Sequence, residues 1–258
     1  MANISEDTKY YAGGLCVKVK KIPFGTKWIK DCCGFRKGDL YKADRLMTGG
    51  TGKILGITIH NTDDSADAAT YTLATFNQNM NTARVHFYVD STEAWQNLEL
   101  NEVGWHAGTG DRSLGNDSYI AIEIIMGGSG SDKDKKAEEN GALLTAYLLR
   151  ITGLGFDDVV THKHWSGKNC PYYILPHWDE FMALVKEKYE YLEKAEDDYQ
   201  KGISLDNTPD AYAAEAVEKA VKKGIIKGDT YGNLMLHSYI TRQDLLVVLD
   251  RVMAQQKA

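Results

Sequence analysis

The chain has 258 residues, 43% hydrophobic and 26% charged, with only four prolines, a balance that gives one large or two modest domains and excludes a disordered or low-complexity segment. A formal net charge of −6 offers no general attraction for nucleic acid or another polyanion, so any such partner would have to be recognised locally. The longest apolar runs, Ile54–Ile59 and Tyr119–Met126, are too short for the roughly 20 residues of a membrane span.

The N-terminus, MANISEDTKYYAGGLCVKVK, has neither the basic start nor the apolar stretch of a secretory leader, which implies synthesis in the cytoplasm. Four cysteines, Cys16, Cys32, Cys33 and Cys170, are too few for a disulfide scaffold. The adjacent pair Cys32 and Cys33 would bridge only with strain and is read as two reduced thiols. The first fifty residues show no feature that ties them to a known pattern and are assigned to the first domain because the linker lies elsewhere.

In chain order, ILGITIHN (54–61) is a buried strand ending in His60 and Asn61, followed by helical content over 66–81. RVHFYVD (84–90), residues 95–99 and YIAIEIIM (119–126) are further strands, the last bounded by a GGSGS turn signal, for a sheet of at least four strands. A helix is expected over 135–151, a short strand at 157–161 and a loop over 161–175. Pro176 then suits the first turn of a helix carrying Trp178, Phe181, Leu184, Val185 and Leu192 on one face. The pattern fades into mixed charge over 191–207, a helix tail and linker that separates residues 1–190 from a small helical unit at 208–258. In that unit Pro209–Lys223 is one helix, stopped by Gly224, and 240–253 a second, capped by Thr241.

His60 at a strand end, and His162 and Cys170 on one loop, supply two imidazoles and a thiolate, which are zinc ligands that would leave a fourth position open to water. From spacing alone this is a weak signal, and surface histidines with an inert thiol are the commoner reading. Glu123 stands out because it interrupts an apolar strand in which Ile120, Ile122 and Ile124 face one way and Ala121, Glu123 and Ile125 the other. A carboxylate there is either a buried acid paired with a base or a functional group.

Five motifs, ITIHNT (57–62), RVHFYVD (84–90), GWHAG (104–108), YIAIEI (119–124) and HKHWSGKNCP (162–171), resemble in order and spacing the zinc-dependent N-acetylmuramoyl-L-alanine amidases of the phage-lysozyme and peptidoglycan-recognition-protein superfamily. The resemblance covers about residues 50–180. It implies an α/β fold with a mixed central sheet flanked by helices, zinc at the bottom of a groove, and peptidoglycan as substrate. Matched position by position, it implies His60, His162 and Cys170 as zinc ligands, Glu123 as general base and Lys168 as the cation that stabilises the oxyanion. His164 is implied to be a groove or supporting residue and not the ligand, because its six-residue spacing to Cys170 breaks the match that His162 makes with eight. Asn61, His86, Trp105, His106 and Trp165 are matched to groove-lining or ligand-orienting positions.

Residues 208–258 resemble a single S-layer homology module, a family that binds secondary cell-wall polymers of Gram-positive bacteria. Tyr212 takes the place of the early aromatic and Arg242 that of the anion-facing arginine, while Gln243-Asp244 departs from the usual Ala-Glu. Such modules work in threes, so one copy implies either homo-oligomerisation or weak binding, with a plain helical cap as the alternative. Together these resemblances imply an endolysin, made without a leader and acting at the wall after release. A host autolysin would share the chemistry. A binding-only receptor on this fold would lack the cysteine ligand, and a structural metal protein would need His164 as a fourth.

Overall fold

The structure is a computed structural model that describes residues 3–23, 27–29, 40–42, 46–77, 83–110, 113–200, 209, 212–226, 234, 236 and 242–255. It divides into two compact units, Met1–Glu190 and Tyr191–Ala258. Cys32, Cys33 and Thr241 lie outside the described residues, as do the side chains of Arg242, Gln243 and Asp244.

The strands of the first unit are β1 (Thr8–Ala12), β2 (Leu15–Val19), β3 (Lys27–Ile29), β4 (Leu40–Lys42), β5 (Gly56–Asn61), β6 (Phe87–Val89), β7 (Ala94–Gln96), β8 (Tyr119–Ile124) and β9 (Val159–Thr161). Its helices are the single turn α1 (Met47–Gly50), α2 (Ala68–Phe76), the short α3 (Leu114–Ser118), α4 (Asp132–Thr152) and α5 (His162–Ser166), and α6 (Trp178–Gln200) begins in it. Seven strands form one mixed sheet in the order β1-β2-β7-β6-β8-β5-β9, while β3 and β4 pair separately. Strands β6, β8, β5 and β9 run parallel to one another, β6 is antiparallel to β7, and β2 is parallel to β7.

The continuous apolar character of β5 and β8 is what a parallel strand covered on both faces requires. Ala121 and Ile125 pack with Tyr88, Trp95 and Ala68 in one cluster. Ile124, of opposite parity, meets α4 so closely that a Cβ at Gly141 would lie 2.4 Å from its Cδ1. The alternation expected around Glu123 is therefore the packing pattern of β8. Helix α4 is closed by the Ser131 side chain, which accepts from Asp134 N, and by Gly153 in the left-handed region.

Several boundaries differ from expectation. The helix expected over 66–81 stops at Phe76, and only 87–89 of the expected strand 84–90 pair continuously, with Arg84 joined to Trp105 through an isolated bridge. Residues 157 and 158 form a 3-10 turn before β9, and a further 3-10 turn at Leu175–His177 holds Pro176, so α6 starts two residues after that proline. The loop expected over 161–175 contains α5, capped by the Thr161 hydroxyl and ended by Gly167 at φ 73°. Within the first fifty residues, β1 and β2 form a hairpin turning at Gly13 and Gly14, both at positive φ, and β2 joins the main sheet beside β7.

In the second unit, α7 (Ala214–Lys222) begins later than the expected Pro209, and Gly224, at φ 67°, follows its C-cap Lys223. Helix α8 (Arg242–Gln255) follows, and Arg251 Nη1 donates to the Ile225 carbonyl at 3.0 Å, tying α8 to the turn after α7. Tyr212 is exposed. Among the described residues no helix is long and apolar enough to cross a membrane.

Candidate metal centre and active site

Parallel strands bring their carboxyl ends to one edge of a sheet, and ligand sites form there. His60 is the penultimate residue of β5, Glu123 that of β8 directly beside it in register, and His162 follows β9 as the first residue of α5. Cys170 returns to the same place because Lys163 N donates to its carbonyl at 2.8 Å. Three strand ends and one loop thus converge on a cleft of about 470 Å³ whose lining includes His60, Asn61, Trp105, His106, Glu123, His162, Lys168 and Cys170.

His60 Nδ1 lies 3.0 Å from His162 Nδ1 and 3.8 Å from Cys170 Sγ, and the three candidate ligand atoms all lie within 4.8 Å of one another. Tetrahedral zinc, with bonds of about 2.0 Å to nitrogen and 2.3 Å to sulfur, sets its ligand atoms about 3.3–3.7 Å apart. The donor set and its spacing therefore fit zinc. His164 is exposed with its ring edge-on to Trp165, and it does not belong to the converging group.

Burial holds the imidazoles neutral, the form in which they can ligate. Desolvation drives His60 well below its ordinary value, helped by His106, His162 and Lys168. It lowers His162 to about 4, reinforced by the Lys168 charge, and His106 to about 3, reinforced by His86 and His162. The His162 Nε2 is buried beside the Ala107 carbonyl without a hydrogen bond of good geometry. Desolvation and the Glu123 charge push the Cys170 thiol up to about 11, and a bound cation would reverse that preference. Glu123 is half-buried at the cleft, and desolvation raises its carboxyl to about 7 against the opposing pull of Lys168, which is itself exposed.

The weaker candidates separate. Asn61, Trp105 and His106 line the cleft, with the Asn61 Oδ1 accepting from Tyr173 N at 3.1 Å. His86 does not reach it. Fully buried, it accepts from Ala121 N at 3.0 Å through Nδ1 and donates from Nε2 to the Glu102 carbonyl at 2.8 Å, so it ties strand to loop behind the groove. Trp165 also stands off the cleft lining, donating from Nε1 to Thr58 Oγ1 at 3.0 Å and packing edge-on to Tyr119.

Sequence reasoning passed over Asn116. Fully buried, its Oδ1 accepts from His106 N at 2.7 Å and Ala107 N at 2.8 Å, while its Nδ2 donates to the Gly110 carbonyl at 3.0 Å, so it pins the 104–110 segment that walls the groove. In sequence it is one polar residue in LGNDS, indistinguishable from a turn residue.

The sequence pattern of the N-acetylmuramoyl-L-alanine amidase family matches residues 50–173. The chain is 43% identical over 134 residues to the N-acetylmuramoyl-L-alanine amidase XlyA of Bacillus subtilis (strain 168), covering 51% of this chain and 44% of that protein. It is 40% identical over 128 residues to the amidase CwlH of the same organism, covering 49% and 50% respectively. The chain thus spans about half the length of these curated relatives. Among solved structures, a mutant endolysin from Bacillus subtilis is 34% identical with a TM-score of 0.54, the match covering 66% of this chain and 99% of that one.

Proposed function

The chain belongs to the N-acetylmuramoyl-L-alanine amidase family, and from that premise we propose that it hydrolyses the amide between the lactyl group of N-acetylmuramic acid and L-alanine, with zinc held by His60, His162 and Cys170. The observation that carries this reading is the convergence of two imidazoles and a thiol on a cleft that also holds a carboxyl and a lysine. Zinc bound there would supply Lewis acidity, polarising the scissile carbonyl and making water acidic enough to ionise near neutral pH.

The remaining work falls to the chain's own groups. Glu123, with its carboxyl raised to about 7, takes the proton of the attacking water and returns it to the leaving nitrogen, a role best served by a pKa near the working pH. Lys168, exposed on the cleft, offers an ammonium to the negative oxygen that develops on the carbonyl. Trp105 and Asn61 wall the groove that takes the glycan-peptide strand.

Residues 208–258 are read as a wall-anchoring module. The support is a helix, a left-handed glycine turn and a second helix held to that turn, at the positions where the S-layer homology resemblance lies. An acidic chain acting on an anionic wall gains from such an anchor, which supports reading the protein as an endolysin that acts at the bacterial wall.

The test separates metal binding from chemistry. Glu123→Gln should keep stoichiometric zinc while release of L-alanine amino termini from purified Gram-positive wall falls about 10²–10⁴-fold, the usual worth of a general base. Reducing sugar ends should not increase in either case. Full activity in Glu123→Gln, or new reducing ends from the unaltered protein, would overturn the assignment.

A further inference from the structure

Given zinc at His60, His162 and Cys170, on which this inference rests, we infer that His106 is a positioning residue that fixes His60 as its Nε2–H tautomer and so turns the Nδ1 lone pair toward the metal. His106 Nε2 lies 3.3 Å from the Tyr119 carbonyl, and a carbonyl oxygen only accepts, so the proton of a neutral His106 ring sits on Nε2. That leaves Nδ1 of His106 as an acceptor. It lies 3.1 Å from His60 Nε2, which must therefore donate. His60 Nδ1 is then left bare, on the side of the ring where His162 Nδ1 and Cys170 Sγ stand.

The relay is itself held at both ends. The two rings meet edge-on, with centroids 5.1 Å apart and planes at 89°. The His106 backbone N donates to Asn116 Oδ1, and Gly104 leaves room for the ring, since a Cβ there would lie 2.9 Å from His106 Cδ2 and 3.0 Å from the Arg84 carbonyl. The other imidazole is held more loosely, because His162 Nε2 lies beside the Ala107 carbonyl without a hydrogen bond of good geometry. The two ligands thus differ in preorganisation, His60 being held through the His106 relay and His162 by the looser approach to the Ala107 carbonyl. Groups that orient a metal-bound histidine through its second nitrogen typically govern affinity by 10–100-fold.

Two measurements on the full chain test this. Long-range nitrogen–proton NMR of the metal-free protein should find His60 protonated on Nε2, and a His60 protonated on Nδ1 would overturn the inference without any variant. Zinc competition against a chromophoric chelator should then show His106→Phe binding about 10–100-fold more weakly. His106→Asn, which keeps an acceptor oxygen where Nδ1 stands, should recover most of that loss. Equal affinity in His106→Phe and the unaltered protein, or equal loss in both variants, would reduce His106 to packing. Failure of the unaltered protein to bind zinc would instead sink the metal assignment, leaving the tautomer measurement to decide the His106 relay by itself.

Discussion

Glu123 is a carboxyl on a strand whose neighbours are apolar, and its position costs the metal-free fold stability in a defined pH window. Its folded value of about 7 exceeds the 4.5 of an unperturbed glutamate, so between those values the folded state holds a proton that the unfolded state has lost. Stability therefore falls as pH rises through this range. Glu123→Gln should stabilise the metal-free protein by about 3 kcal/mol at pH 8 and by less than about 1 kcal/mol at pH 5, measured by urea denaturation. The same stabilisation at both values would mean that the carboxyl is not desolvated. Residues such as Glu123 and His60 were legible because they interrupt or terminate apolar strands. His86 and His106 were not separable in sequence, since both lie near strand patterns. What divides them is the approach of His86 Nδ1 to Ala121 N, which depends on how 84–90 lies against 119–126 in space.

At the scale of elements, the site depends on how closely α4 lies on β8. Gly141 supplies that closeness, and a methyl added there meets Ile124 Cδ1 at 2.4 Å on the residue adjoining Glu123. Gly141→Ala gains about 1 kcal/mol in helix propensity but forces overpacking that typically costs about 1–3 kcal/mol. The expected result is a lower Tm together with weaker hydrolysis, and a rise in Tm would show that α4 can lift without cost. Periodicity revealed the long helix α4 and the buried strands β5 and β8, which carry the strongest patterns. It could not reveal α5, whose five residues make barely one turn, although a threonine cap and a terminal glycine bracket it. The hairpin of β1 and β2 was signalled by Gly13-Gly14 and by the buried alternation of Leu15, Val17 and Val19, a pattern too short to stand out before its partner β7 is known.

At the scale of the whole molecule, the four buried imidazoles among the described residues set the acid limit of the metal-free fold. His60, His86, His106 and His162 are all lowered by desolvation, the last three to about 4, 3 and 4. Below about 6.5 the unfolded chain takes protons that the folded chain refuses, so stability is present above that value and lost as pH falls toward 4. Each imidazole contributes a slope of about 1.4 kcal/mol per pH unit, and together they outweigh the opposing effect of Glu123. Metal-free protein should be most stable near neutral pH and unfold steeply below about 6 in a denaturant series. Flat stability down to pH 5 would contradict the neutral, ligation-ready cluster.

The central claim, zinc-dependent cleavage at L-alanine, is tested most directly by mass spectrometry of Gram-positive peptidoglycan after digestion with the full chain, with Cys170→Ser and chelator-treated protein alongside. Free stem peptides beginning with L-alanine, absent from both controls, are the predicted result. Undigested wall, or the same peptides from the Cys170→Ser protein, would contradict it.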